Sequence, residues 1–157
     1  MKSYKPVLLL LLLVIATTLT ANTYRCMIQM NAYKGESAYV VASLINPTGK
    51  YERTLAVLGP DKKWWDSLTE WYKAQQVKAE KLDAISGASI KGGDRRIISF
   101  TIDEKLMNKG YKIRFESSVE DQQYVVNDVE IPLTTTQLTT KADGKTYIKA
   151  VKINKAQ

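Results

Sequence analysis

Apolar and polar residues alternate along most of the chain, a pattern typical of β-strands with one buried face. In residues 24–33, Tyr24, Cys26, Ile28 and Met30 share one side of the alternation, which predicts a strand with Cys26 as a core thiol. Glycine, proline, asparagine or aspartate bounds most of the runs that follow. The predicted strands span residues 24–33, 38–45, 51–58, 97–102, 111–119, 123–133 and 146–153.

A helical period interrupts the strands over residues 61–81, where Asp61 is the expected N-cap. The residues that share the apolar face of this helix are Trp64, Leu68, Trp71 and Gln75. The remaining connections are short, which favours antiparallel hairpins. We therefore predict a mainly β fold: an antiparallel β-sandwich, immunoglobulin-like, with one inserted amphipathic helix.

Two further features of the strands are predicted in the C-terminal half of the chain. In residues 111–119 the apolar residues face one way, while Lys112, Arg114 and Glu116 face the other. We expect that charged face to be in water. The dipeptide Asp143-Gly144 is a hairpin signal, so a closing hairpin is expected there.

The N-terminal segment has the pattern of a secretory signal. Lys2 and Lys5 precede an apolar run over residues 7–15, and small residues lead to Ala21. This predicts a signal peptide over residues 1–21 and a single domain over residues 22–157 in the periplasm or another extracytoplasmic space. An uncleaved membrane anchor is the alternative, because Leu19 is bulky for a cleavage site.

The composition excludes several kinds of chemistry. The chain has no histidine and one cysteine, which excludes histidine triads, histidine metal sites, thiolate clusters and bis-histidine haem. The net charge is +7, which favours anionic partners. Because the cations are scattered and form no stripe, we predict no nucleic-acid partner.

A short stretch after the helix carries the candidate chemistry. It reads Asp83-Ala84-Ile85-Ser86-Gly87-Ala88-Ser89. The pattern fits neither helix nor strand and predicts an exposed, tightly turned loop. Gly87 permits backbone angles closed to other residues, and Ala88 adds little bulk, so a second molecule is expected to reach the Ser89 hydroxyl. Asp83 and Ser86 can hydrogen-bond nearby backbone N–H groups and hold the turn.

The order Asp-x-x-Ser/Thr-Gly-Ala-Ser/Thr resembles the acceptor motif of bacterial proteins flavinylated outside the cytoplasm, such as the C subunit of the sodium-pumping NADH:quinone reductase. The resemblance implies that a flavin transferase uses FAD and magnesium to attach FMN through a phosphoester to Ser89. It also implies that Asp83, Ser86, Gly87 and Ala88 form the recognition frame for that transferase. Most such motifs end in threonine, and this one ends in serine.

A wider resemblance covers residues 39–133. The segments that carry it are Arg53-Thr54-Leu55-Ala56-Val57-Leu58-Gly59, the tryptophan-rich segment ending near Trp71, the Ser-Gly-Ala-Ser loop, and Gly110-Tyr111-Lys112-Ile113-Arg114-Phe115-Glu116. In this order they are similar to a family of predicted periplasmic proteins, a domain of unknown function often associated with PepSY-type membrane reductases. The resemblance implies a periplasmic redox role.

Three hypotheses about function follow. The first is an electron-transfer protein that carries FMN on Ser89 and is a redox carrier rather than a stand-alone enzyme. The second is an unmodified secreted β-sandwich that binds a membrane or protein partner. The third, a hydrolase built on Ser86 or Ser89, is disfavoured because the chain offers no histidine to activate a serine.

Two neighbouring features bear on the first hypothesis. One of the three tryptophans is a candidate to stack on the flavin ring, although large aromatics more often pack in a core. The connector Lys91-Gly92-Gly93-Asp94-Arg95-Arg96 offers cations that would neutralise a phosphodiester, unless they are ordinary solvated charges.

Overall fold

The computed structural model describes residues 20–157, and this part of the chain is mainly β. Apart from Thr20 and Ala21, the predicted signal peptide lies outside the described residues. The strands are β1 (Ala21–Met30), β2 (Tyr39–Ile45), β3 (Tyr51–Leu58), β4 (Ser86–Gly87), β5 (Arg95–Asp103), β6 (Lys112–Ser118), β7 (Val125–Pro132), β8 (Ala142–Asp143) and β9 (Ile148–Lys155). The helix α1 spans Thr69–Val77, and short 3₁₀ helices span Lys62–Ser67, Asp83–Ile85 and Glu104–Leu106.

The strands form two sheets. One has the order β5-β1-β9-β8 and the other the order β4-β3-β2-β6-β7. Neighbouring strands are antiparallel except β3 and β4, which are parallel. Each of the seven longer strands corresponds to one predicted run, so the mainly β prediction is confirmed.

The larger of two apolar clusters draws residues from both sheets, and the smaller one joins Trp65, Leu68 and Trp71 to Val41 and Val57 of the second sheet. The alternation in β1 buries Tyr24, Cys26, Ile28 and Met30, as predicted. Phe115 of β6, in the second sheet, belongs to the same cluster. Removal of this apolar surface from water is the main force that holds the two sheets together.

Cys26 is fully buried in this core, and burial raises the pKa of its thiol to about 12. Because the thiolate is the reactive form, we expect the native protein to resist iodoacetamide at mildly alkaline pH. The same protein unfolded in urea is expected to be alkylated quickly. Mass spectrometry of timed samples measures both rates, and a native rate close to the unfolded one would contradict the packing described.

The helical segment is shorter than predicted and has two parts. Asp61 is the N-cap as expected, and its carboxylate accepts a hydrogen bond from the Lys63 backbone N–H at 3.1 Å, but it caps a 3₁₀ helix. Leu68, with φ −89° and ψ 66°, separates this turn from α1, which ends at Val77. Within residues 20–157, no helix has the length and apolar character needed to cross a membrane.

The break changes which tryptophan is buried. A 3₁₀ helix has about three residues per turn, so the 3.6-residue face expected for Trp64 does not form. Trp65 is 8% exposed and its indole N–H donates to the Gly59 carbonyl at 2.8 Å, whereas Trp64 is 48% exposed. The prediction that Trp64 shares the buried face with Leu68 and Trp71 is therefore wrong.

The prediction of a wet face on β6 is wrong at Arg114 and Glu116, although the Lys112 side chain is 35% exposed. Glu116 is fully buried and Arg114 nearly so, because α1 packs over this side of the sheet. The Trp71 backbone N–H at the start of α1 donates to Glu116 Oε2 at 3.1 Å. The helix thus covers charged residues that the alternation alone assigns to solvent.

The closing hairpin forms as predicted, with β8 and β9 paired antiparallel. The buried carboxylate of Asp128 in β7 holds the turn between them. It accepts hydrogen bonds from the backbone N–H groups of Lys145 (2.9 Å), Thr146 (2.7 Å), Tyr147 (3.0 Å) and Ile148 (2.9 Å), and from Ser117 Oγ (2.7 Å). One side chain therefore fixes the hairpin that follows β7.

Candidate functional site

The candidate stretch, residues 83–89, begins as a 3₁₀ helix and continues in an extended conformation. Ser86 and Gly87 form β4 and pair in parallel with Val57 and Leu58 at the edge of the second sheet. The Gly59 backbone N–H donates to the Gly87 carbonyl at 2.9 Å. The stretch is exposed over much of its length, but β4 replaces the tight turn that the sequence predicts.

Gly87 has a different role from the one expected. Its backbone φ angle is not positive, in contrast to those of Gly35, Gly49, Gly93 and Gly110, so it lies outside the left-handed region. A Cβ added at Gly87 would lie 3.0 Å from Leu58 Cδ2. The glycine therefore allows close packing of β4 on β3, and no turn requires it.

The other members of the predicted frame separate from one another. The exposed carboxylate of Asp83 pairs with Lys62 Nζ at 3.3 Å and does not hold the loop. Ser86 Oγ donates to the Leu82 carbonyl at 2.7 Å and so fixes the start of the extended part. Ala88 is exposed, and Ser89 is half-buried.

Ser89 lies between two anchored residues. Gly87 is bonded to Gly59, while Ile90 is fully buried and exchanges two backbone hydrogen bonds with Ala38, at 2.7 and 3.0 Å. The Tyr33 hydroxyl braces the same junction by donating to the Ile90 carbonyl at 2.8 Å. The backbone on both sides of Ser89 is therefore fixed.

Ser89 lines a cavity of about 660 Å³. This volume is within the range of ~300–1,000 Å³ usual for small-molecule sites. The aromatic residues in the lining are Tyr39, Trp64 and Tyr124, and the acidic ones are Glu36, Asp66, Glu120 and Asp121. Four serines, three aromatic residues and four acidic residues thus line one concave surface.

The charge of this cavity is opposite to the net charge of the chain. No lysine or arginine of the described residues lines it. The basic connector at residues 91–96 does not supply a cation either, because Arg96 lines a different groove and the other connector residues line neither. The cavity therefore suits a neutral aromatic group better than an anion.

That second groove, of about 270 Å³, lies on the other side of the stretch. Ser86, Gly87 and Ala88 line it together with the exposed side chain of Ile97 from β5. The structure thus divides the predicted frame: these three residues lie along the second groove, and Ser89 opens on the acidic, aromatic cavity.

A buried network that no local sequence pattern predicts supports the cavity wall at Tyr124. The Tyr124 hydroxyl donates to Glu116 Oε2 at 2.6 Å and accepts from the Glu70 backbone N–H at 3.0 Å. Arg114 pairs with the other Glu116 oxygen at 2.7 Å. The sequence gives no signal for this network, because Glu116 stands on the charged side of an alternating strand and the helix that covers it is distant in the chain.

The pH dependence of stability offers a test of this network. Burial raises the pKa of Glu116 above its ordinary value of 4.5, although Tyr124 and Arg114 act in the opposite direction. The native state therefore binds the proton more tightly than the unfolded chain does. The contribution of this group to stability is complete below pH 4.5 and is lost as the pH rises through the raised native pKa.

We expect the stability of the wild type, relative to the Glu116→Gln variant, to fall as the pH increases above the ordinary glutamate value. The variant keeps an oxygen acceptor but does not titrate. Urea unfolding of both proteins at a series of pH values measures the difference. A difference that grows in favour of the wild type with rising pH would contradict the assignment.

The chemistry available at Ser89 is that of an acceptor. Its cavity holds carboxylates but no imidazole or amine that would activate a hydroxyl in the manner of a serine hydrolase. Within residues 20–157, no cluster of three or more histidine, cysteine, aspartate or glutamate residues is arranged to hold a metal ion. Among the described lining residues, carboxylates are thus the bases that share the cavity with Ser89.

The fold and this site define a small β-rich domain with a ligand-sized cavity beside an anchored serine. The family model described as "Predicted periplasmic protein (DUF2271)" matches residues 21–150, and the chain belongs to this family. The description places the protein in the periplasm, which confirms the location expected from the N-terminal pattern. Comparisons with curated proteins and with solved structures give no match.

Proposed function

We propose that the protein is a periplasmic electron-transfer protein that carries FMN attached through a phosphoester to Ser89. The observation that carries this proposal is the position of Ser89, which lines a cavity and lies between two residues with bonded backbones, Ile90 directly after it and Gly87 two positions before it. A covalent link prevents loss of the cofactor by dilution outside the cytoplasm. Flavin supplies the redox chemistry, and the protein supplies attachment and surroundings.

Attachment is a transfer reaction in which FAD is the donor. The Ser89 oxygen forms a bond to the phosphorus of the FMN half, and the bond from that phosphorus to the AMP oxygen breaks. AMP leaves, and the serine proton passes to a base of the flavin transferase. Magnesium supplied with FAD offsets the negative charge of the diphosphate, a charge that the acidic cavity does not neutralise.

The motif resemblance and the structure together support a docking role for the rest of the stretch. Asp83, Ser86, Gly87 and Ala88 form the proposed recognition frame for the flavin transferase. Asp83 and Ala88 are exposed, and the fixed path of β4 presents them in one arrangement. A PepSY-type membrane reductase is the proposed electron-transfer partner, on the strength of the wider resemblance.

Co-expression with a flavin transferase in cells that supply FAD and magnesium tests the attachment. We expect the protein to stay fluorescent in denaturing gel electrophoresis and to gain the mass of one FMN unit. Co-expression with an inactive transferase is the control and is expected to give neither signal. A protein of unmodified mass from the active co-expression would refute the proposal.

The immunoglobulin-like arrangement is the finer part of the fold proposal. Two packed sheets of four and five strands support it. The parallel pair β3 and β4 is an addition to an otherwise antiparallel arrangement.

A second candidate is an unmodified binding module, which the four carboxylates of the cavity favour. A basic segment of a secreted or membrane partner would be attracted to a concave surface that carries acidic residues and no bases. This candidate requires that the native protein be colourless and unmodified.

A further inference from the structure

We propose that Trp64 forms the seat for the isoalloxazine ring of the flavin on Ser89, inside the cavity that both residues line. This inference rests on the function proposed above. It adds the residue and the surface that hold the ring once its phosphate is attached.

Solvent exposure distinguishes Trp64 from the other two tryptophans. Trp71 is fully buried, and its indole N–H donates to Thr54 Oγ1 at 2.8 Å. Trp65 is buried and bonded to Gly59. Trp64 has 48% of its surface exposed, and Lys63 Nζ lies over its ring at 5.2 Å from the centroid, so a flavin ring would stack on the opposite face or displace this lysine.

Local structure holds the Trp64 backbone in place. Its backbone N–H donates to the Asp61 carbonyl at 3.1 Å, and its carbonyl accepts from Ser67 Oγ at 2.7 Å. An exposed aromatic on a fixed backbone loses little conformational freedom when a planar ligand stacks on it. The turn that prevents Trp64 from joining the core therefore also prepares it for stacking.

The charges of the cavity favour the ring over the phosphate. The oxidised isoalloxazine is uncharged, and its ring N–H is a donor suited to a carboxylate such as Glu36 or Glu120. The phosphate is an anion, which the same carboxylates repel. A flavin attached at Ser89 is therefore expected to place its ring among the aromatics and its phosphate toward solvent.

The second groove is the competing location for the ring, and it allows a matched control. It contains Ile97 but no aromatic side chain. An indole in stacking contact quenches flavin fluorescence by electron transfer, whereas isoleucine does not. The location of the ring can therefore be determined from the fluorescence of the loaded protein.

The experiment compares wild type, Trp64→Ala, Trp64→Phe and Ile97→Ala after co-expression with the transferase, with FMN attachment established first by mass. We expect native wild type to be dim and to brighten several-fold on unfolding. Both Trp64 variants are expected to be brighter than native wild type, because alanine and phenylalanine are poor electron donors, but dimmer than the unfolded protein, because Tyr39 and Tyr124 line the same cavity and also quench flavin. Ile97→Ala is expected to be as dim as wild type.

Three results would overturn the inference while leaving the attachment intact: a bright native wild type, Trp64 variants as dim as wild type, or brightening in Ile97→Ala alone. If Trp64→Ala accepts no flavin, Trp64→Phe provides the comparison. Wild type without the FMN mass would overturn the proposed function and this inference together.

Discussion

Ser89→Ala is expected to abolish covalent flavin attachment completely, because no other oxygen occupies its position between the anchored Gly87 and Ile90. The fold should tolerate the change. Ser89 is a half-buried surface residue, and such substitutions usually alter stability by about 0.5 kcal/mol or less. Gel fluorescence and intact mass after co-expression with the transferase measure attachment, and urea unfolding measures stability.

Two variants make this prediction specific. Ser37→Ala removes another hydroxyl from the lining of the same cavity and is expected to keep the flavin. Ser89→Thr keeps a hydroxyl at the acceptor position and is also expected to keep it. An FMN adduct that persists in Ser89→Ala would assign the attachment to a different residue.

The largest loss of stability is expected for Asp128→Ala, at about 3–5 kcal/mol. The substitution removes the acceptor for four backbone N–H groups of the closing hairpin and for Ser117 Oγ. The buried donors are the Tyr147 and Ile148 N–H groups and Ser117 Oγ, and each keeps a desolvation cost of about 1–3 kcal/mol before relaxation and water entry reduce the total. The Lys145 N–H retains the Asp128 backbone carbonyl at 3.0 Å.

Urea unfolding measures this loss, and Asp143→Ala is the matched control. Asp143 is exposed and pairs only with the exposed Lys141, so its removal is expected to cost about 0.5 kcal/mol or less. Asp128→Asn is expected to give an intermediate loss. The amide keeps one oxygen acceptor, but the NH₂ group that replaces the other oxygen cannot accept a hydrogen bond from the backbone N–H groups next to it. A cost below about 1 kcal/mol for Asp128→Ala would mean that the hairpin is held by other contacts.

The strands were predictable because their pattern is local. Alternation with a period of two identifies the face of β1 that carries Cys26 and Ile28, and turn residues mark the ends of β3 at Tyr51 and Leu58. These signals depend on a few neighbouring residues. Short connections account for the pairs β2–β3, β6–β7 and β8–β9, but the pairs β1–β5, β1–β9 and β2–β6 join strands that are distant in the chain and have no local signal.

The helical segment was only partly predictable because a 3₁₀ turn and an α-helix have similar sequence signals. Asp61 correctly marked the start, but no residue announces the break at Leu68. The break reverses the roles of Trp64 and Trp65. The error concerned which of two adjacent tryptophans faces solvent, and this choice determines the proposed flavin seat.

The motif singled out Ser89, which lines the cavity, but the other residues of that cavity had no local signal. A motif of consecutive residues identified the hydroxyl, but the cavity is assembled from segments as distant as Glu36 and Tyr124. Its acidic character therefore has no local pattern. For the same reason, the basic residues after Ser89 were expected to serve a phosphate, whereas Arg96 lies along the second groove.

The most direct measurement is the intact mass of the mature protein purified from the periplasm of its own host, followed by the mass of the proteolytic fragment that contains Ser89. We predict one FMN unit on the protein, and on that fragment alone. An intact mass equal to that of the unmodified chain, in a colourless sample, would contradict the account and leave the unmodified binding module.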